Sequence, residues 1–204
     1  MMKTNNFISI LLGTVFVIAA AAVAGSERVD SEIPAPPVIG TTVEDFTLPD
    51  TDGKDHSLNA LKGKNGTVLI FISVQCPVSN AYNERMEKLA QDYKTRGINV
   101  VGINANSTEP ADVVKAHASQ KHLTFAILKD PRNKIADRLG ATKTPEAYFL
   151  DANNKLLYHG RIDNSKNPEG INASELRDAL DAALNGKPIE KTTAVAFGCT
   201  IRRA

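Results

Sequence analysis

The sequence predicts an α/β protein: a mixed central sheet with helices on both faces, a three-layer sandwich, extended by an N-terminal β-hairpin. Three observations predict it. The run Val68-Leu69-Ile70-Phe71-Ile72-Ser73-Val74 is almost continuously apolar and rich in β-branched residues, as in a strand buried on both faces. Directly after it, Tyr82, Met86, Leu89 and Tyr93 recur at helical spacing, one face of an amphipathic helix. Further on, strand-like and helix-like segments alternate and close with a hairpin and a last helix, which implies a mixed sheet between helix layers.

In chain order, residues 1–24 read as a secretory signal peptide. One charge at Lys3 precedes the apolar run Phe7 to Ala21, and Ala22-Val23-Ala24 offers a small-x-small cleavage site. An uncleaved membrane anchor is the alternative. No Cys follows the run, which excludes lipid attachment there, and no twin-Arg pair precedes it. Residues 25–40, with Ile33-Pro34-Ala35-Pro36-Pro37, form a Pro-rich linker. The formal net charge of +1 includes Lys3, so the mature chain is neutral. It carries no Lys/Arg cluster, and so no electrostatic case for nucleic acid or an anionic membrane surface.

Residues 41–186 form the domain, long enough to bury a sizeable core. Phe46-Thr47-Leu48 and His56-Ser57-Leu58 flank a turn with Asp52-Gly53, a β-hairpin signature. Asn59 to Gly63 is a short helical turn or loop. After the long helix, Gly97 stops it and Ile98 to Asn104 forms a second buried strand. Ser107 or Thr108 caps the next helix, with Pro110 near its start and Val113, Val114 and His117 along it. Phe125 to Leu128 is a third strand, and Asn133 to Leu139 a short helix ended by Gly140. Ala147 to Leu150 and Leu156 to Ile162 are two strands joined by the turn 151–154. Asn172 with Glu175 forms a variant capping box before a helix that turns Leu176, Leu180, Ala183 and Leu184 inward. Gly186-Lys187-Pro188 ends it.

Between the central strand and its helix stands Gln75-Cys76-Pro77-Val78-Ser79. Pro77 suits the first helical position, where its missing N–H costs nothing. Cys76 therefore sits at a strand-to-helix corner, where unpaired N–H groups and the helix dipole favour an anion. A thiolate is such an anion, so the corner makes Cys76 a nucleophile. A cysteine that merely packs is the alternative, since free Cys is often buried.

From Gly40 to Leu184 these elements resemble the thioredoxin fold, and within it the redoxin branch. That branch groups peroxiredoxins with exported thiol–disulfide oxidoreductases of the cytochrome-c-maturation type. Three stretches carry the resemblance: DFTLPDTDGKDHSL from Asp45, CPVS from Cys76, and TPEAYFLDANNKLLYHGRID from Thr144. It implies that Pro145 is cis and lies beside the active cysteine, and that the backbone of Thr144 pairs with an incoming substrate strand. Glu146 matches the Pro-Glu pair of the cytochrome-maturation group, as a residue behind the site.

The departures are informative. A dithiol oxidoreductase carries a second Cys where this chain has Ser79, a Trp at Gln75 and a buried acid at Ile70. Peroxiredoxins place Ser or Thr three residues before the nucleophile, which Ser73 satisfies. Leu69 replaces their Pro, and Pro145 falls where their peroxide-binding Arg is expected; Arg161 could substitute in space. Disulfide exchange therefore ranks ahead of peroxide reduction. Protein thiols or disulfides, or a peroxide, are the implied substrates, with an external thiol as electron donor.

Residues 187–204 form a tail ending Phe197-Gly198-Cys199-Thr200-Ile201-Arg202-Arg203-Ala204. Beyond the last helix, it is free to fold back over the sheet edge or the active corner. The chain has two cysteines, so any intramolecular disulfide joins Cys76 to Cys199, with Cα atoms within about 7 Å. Three readings stay open: Cys199 resolves Cys76 in a redox cycle, forms a permanent bond with it in a non-enzymatic domain, or pairs between chains. Arg202 and Arg203 would favour its thiolate. His56, His117, His122 and His159 lack ligand spacing, and Asn80 stands where copper-delivering relatives of this fold have a second Cys. No metal or cofactor is expected.

Overall fold

The computed structural model describes residues 1–2 and 34–204. The expected signal peptide and the linker up to residue 33 otherwise lie outside the described residues. The hairpin comes first, β1 (Thr47–Pro49) against β2 (Asp55–Ser57), with Leu48 opposite His56. Its turn needs Gly53 at φ 81°, a conformation that suits glycine. A one-turn helix α1 (Leu58–Leu61) follows, capped by the Ser57 hydroxyl, which accepts from the Ala60 amide.

The central strand β3 (Gly66–Phe71) leads into helices α2 (Pro77–Ala81) and α3 (Asn83–Lys94). Then come β4 (Ile98–Asn104), α4 (Ala111–Gln120), β5 (Ala126–Lys129) and α5 (Lys134–Arg138). Strand β6 (Lys143–Thr144) precedes the hairpin β7 (Glu146–Leu150) and β8 (Leu156–Gly160). The last helix is α6 (Glu175–Leu184), and β9 (Cys199–Thr200) lies in the tail.

Five strands form one sheet in the order β5-β4-β3-β7-β8. Strand β3 runs parallel to β4 and antiparallel to β7, so the sheet is mixed. Every residue of β3 is buried, because the sheet is covered on both sides. Val68, Ile70 and Ile72 pack with Met86, Leu89 and Tyr93 of α3 and with Leu176 and Leu180 of α6. The alternate residues Leu69 and Phe71 pack with Leu48 of the hairpin, Ile135 and Ala136 of α5, and Ile201 of the tail. The period of two along the strand thus divides the core into two layers. Truncating a fully buried member such as Leu89 to Ala would cost about 2–5 kcal/mol.

Five local expectations are corrected. Strand β3 ends at Phe71 rather than Val74, because the amides of residues 73–76 bond to side chains instead of to a neighbouring strand. The expected single helix after Cys76 is broken at Tyr82, whose amide closes a tight turn onto Ser79 O at 3.0 Å. Neither Ser107 nor Thr108 caps α4; Pro110 holds that position with no side-chain bond. At α6 the first cap is Ser174, while Asn172 bonds to Asn164 and Glu175 reaches Arg161. Strand β8 also stops at Gly160. Beyond it the tail runs along the sheet edge, with the Ala194 amide donating to His159 O at 3.1 Å, so the edge is not left open.

Candidate active site

Cys76 occupies the cap of α2. Its backbone is extended, Pro77 takes the first helical position, and its sulfur accepts the Ser79 amide N–H at 3.3 Å. The loop that delivers it is shaped from inside. Ser73 N donates to Ser79 Oγ at 3.1 Å, and the amides of Gln75 and Cys76 both donate to Ser73 Oγ, at 3.2 and 3.1 Å. Asn80 closes the turn by donating to Val74 O at 2.9 Å. With its amides satisfied this way, the segment can leave the sheet without a buried orphan N–H. Ser73 and Ser79 are thereby fixed side by side under the nucleophile.

Beneath this loop lies a group that sequence reasoning missed. Glu109 is 2 % exposed. Its carboxylate accepts the Ser73 hydroxyl at 2.6 Å, the Val74 and Gln75 amides at 3.0 Å each, and Asn104 Nδ2 at 2.5 Å. Burial alone pushes the Glu109 carboxyl up, but these donors outweigh it and hold it below its ordinary value. Behind it, the buried Lys129 ammonium donates to Glu109 O at 2.6 Å and to Asn104 Oδ1. Burial pulls Lys129 below the usual lysine range, while the Glu109 and Asp130 charges oppose that pull. The signal available in the sequence was a lone acid just past the C-terminal end of β4, where open α/β sheets place their crevice.

The second wall is the Thr144-Pro145 loop. That peptide bond is cis, and Thr144 O lies 3.3 Å from Cys76 Sγ. Glu146 holds the loop from behind, accepting the Thr142 and Lys143 amides at 2.8 Å each. Its other oxygen accepts from Tyr148 OH at 3.1 Å and meets His159 Nε2 at 2.6 Å. Again burial pushes upward, and the bonds from His159 and the two amides prevail, so this carboxyl also sits below its ordinary value.

Against this loop lies the tail. Cys199 pairs antiparallel with Thr144 and Thr200 with Lys143. The Cys76–Cys199 disulfide closes here, joining residues 123 positions apart in sequence with their Cα atoms 5.8 Å apart. A Cβ on Gly198 would come within 2.0 Å of Thr144 O, so this close approach needs glycine. Cys76 is 2 % exposed, whereas Cys199 is partly exposed.

Ser73, Pro77, Ser79, Thr144 and Pro145 therefore all gather at the disulfide, and Glu146 stands behind the cis-Pro loop. Two of the arginines named above have carboxylate partners of their own. Arg161 is held by Glu175, and Arg203 by Asp137 at 2.8 Å and Ala141 O at 2.7 Å.

Fold and site define a thioredoxin-like protein of the redoxin class, with a cysteine pair at its active corner. Residues 39–159 match the AhpC/TSA family, and the chain belongs to it. Among curated relatives, the thiol-disulfide oxidoreductase ResA of Geobacillus thermodenitrificans is 29% identical over 118 residues, 58% of this chain and 66% of that protein. The match thus spans just under two thirds of that relative. The chloroplastic peroxiredoxin Q of Sedum lineare is 31% identical over 140 residues, 62% of this chain and 72% of that protein. Among solved structures, a hypothetical protein of Sinorhizobium meliloti 1021 superimposes with TM-score 0.76 at 32% identity, covering 82% of this chain and 96% of that one.

Proposed function

We propose that the protein is an exported thiol–disulfide oxidoreductase in which Cys76 is the nucleophile and Cys199 the distal resolving cysteine. One observation carries this reading. The Cys76 sulfur receives the Ser79 N–H, and its bonded partner lies on a strand laid against Thr144, beside the cis proline. In the reduced protein the Cys76 thiolate attacks one sulfur of a substrate disulfide and expels the other as a thiolate. Cys199, as thiolate, then attacks the Cys76 sulfur of the mixed disulfide, forming the Cys76–Cys199 bond and releasing the second substrate thiolate. An external thiol donor of two electrons restores both thiols. Protein disulfides are the substrate class that the family and the strand slot favour. Export rests on the composition of residues 1–24.

Peroxide reduction ranks second for a physical reason. The Ser73 proton points at Glu109, so the hydroxyl oxygen faces backbone amides and has no donor left for a peroxide. Pro145 stands where an arginine would bind the peroxide, and Arg161 is engaged by Glu175.

The test is turnover of a model disulfide and of hydrogen peroxide by wild type, Cys76→Ser and Cys199→Ser. Disulfide turnover should vanish in Cys76→Ser, and Cys199→Ser should stall as a mixed disulfide on Cys76. A bond that resists mild reductant, with no thiol that alkylates readily, would instead indicate a locked structural disulfide.

A further inference from the structure

The segment on the far side of Cys199 is tied down more firmly than a mobile resolving arm requires. Ile201 is buried in the core layer of Leu69 and Phe71, and its amide donates to Thr142 O at 3.0 Å. Arg202 N donates to Asn106 Oδ1 at 2.8 Å, and Arg202 O accepts the Ser107 amide at 2.9 Å. Arg203 reaches Asp137, and Ala204 N donates to Asn133 Oδ1 at 2.9 Å. None of these contacts involves the disulfide. All of them survive on paper when the S–S bond opens.

From this we infer that Asn106, Asp137 and the buried Ile201 are positioning residues that keep Cys199 docked beside Thr144 in the reduced protein, so that resolution does not wait for a free tail to return. The inference rests on the reading of Cys199 as the resolving cysteine. A docked thiol presents itself at a high effective concentration, whereas a free tail must search. The same docking fills the strand slot at Thr144, so an extended polypeptide disulfide must displace the tail before it can pair there. Loop 104–109 serves both cysteines at once: Glu109 holds the Cys76 loop, and Asn106 with Ser107 holds the tail.

The test compares reduced wild type with Asn106→Ala, Arg203→Ala and the conservative Asn106→Asp, which keeps an oxygen for the Arg202 amide. Two rates are followed. One is alkylation of Cys76 by iodoacetamide, mapped by mass. The other is closure of the disulfide after Cys76 alone has been loaded with thionitrobenzoate, read from the coloured thiolate released.

Loss of one anchoring bond should shift docking by about tenfold. Alkylation of Cys76 should then speed up and closure slow down by about that factor in both alanine variants, with recovery in Asn106→Asp. A general loss of structure would not move the two rates in opposite directions or be rescued by Asp. Equal rates in wild type and both alanine variants would overturn the inference. If the rates split as stated while no form turns over a disulfide substrate, the docking stands and the oxidoreductase reading falls. Turnover without the split does the reverse.

Discussion

Two buried glutamates flank the disulfide, one behind each wall: Glu109 behind Ser73–Gln75, and Glu146 behind Thr142–Thr144. Both collect backbone amides that the loops cannot pair elsewhere, and both carboxyls are held below their ordinary value by those bonds. Their remaining partners differ. Glu109 takes neutral donors, and its backbone oxygen accepts from the buried Lys129. Glu146 takes the Tyr148 hydroxyl and the imidazole of His159. The wall behind the nucleophile is therefore held through backbone amides and neutral side chains alone, while the wall behind the cis proline also leans on an imidazole.

Removing each acid sharpens this contrast. Glu109→Ala strips the acceptor from Ser73, two amides and Asn104, and removes one of the two acidic charges, with Asp130, that favour the buried Lys129 ammonium. A loss of about 3–5 kcal/mol in denaturant unfolding is expected. Disulfide turnover should fall by about a hundredfold as the Cys76 loop shifts. Glu146→Ala leaves the Thr142 and Lys143 amides unpaired, but Tyr148 keeps Leu139 O as an acceptor. A smaller loss of about 2–3 kcal/mol is expected. Equal losses at the two positions would break the comparison.

The same asymmetry bears on what could be read in advance. Strand β4 spans Ile98–Asn104 as the apolar run indicates, and the helical face of Tyr82, Met86, Leu89 and Tyr93 is fully buried. The Cys76-Pro77 corner was visible because proline chemistry and helix-end physics act within a few residues. Glu146 was visible through its neighbour Pro145. Glu109 was not, because its burial comes from the β4–α4 connection folding over the Cys76 loop, a contact between residues 34 to 36 positions apart. The break at Tyr82 was hidden for a similar reason. The periodicity continues straight through it, and only the tertiary bonds of Tyr82 OH to Asp163 at 2.8 Å and to Ser165 O at 2.9 Å mark the site as special. The tail anchors were illegible too, since a lone Ile201 between Thr and Arg carries no period.

Acid titration offers the next test. A carboxyl whose folded value is depressed binds fewer protons in the native state than in the unfolded one. Its contribution to stability is complete above the ordinary glutamate value of 4.5 and is lost as pH falls through the lower folded value. The melting temperature of the oxidised protein should therefore drop as pH falls below about 4.5. Glu109→Gln and Glu146→Gln should each flatten that drop while starting from a lower plateau. A wild-type curve with no drop in that range would show that neither acid is held ionised by its bonds.

The smallest effect should come from Tyr148→Phe, and it isolates the softer wall. The single phenol proton is shared between Leu139 O at 2.9 Å and Glu146 at 3.1 Å. Burial and the neighbouring carboxylate push it far above the ordinary tyrosine range, so it stays a donor at every working pH. Its ring stacks on His159 at 4.4 Å and meets Phe71 edge-on at 5.7 Å, contacts that phenylalanine keeps. Only the hydroxyl is lost, at about 1 kcal/mol. Glu146 still accepts from two amides and His159, so the cis-Pro loop should hold and disulfide turnover should stay near wild type. A large fall in turnover with so small a loss of stability would mean that this hydroxyl, rather than the amides, fixes the position of Thr144 against Cys76.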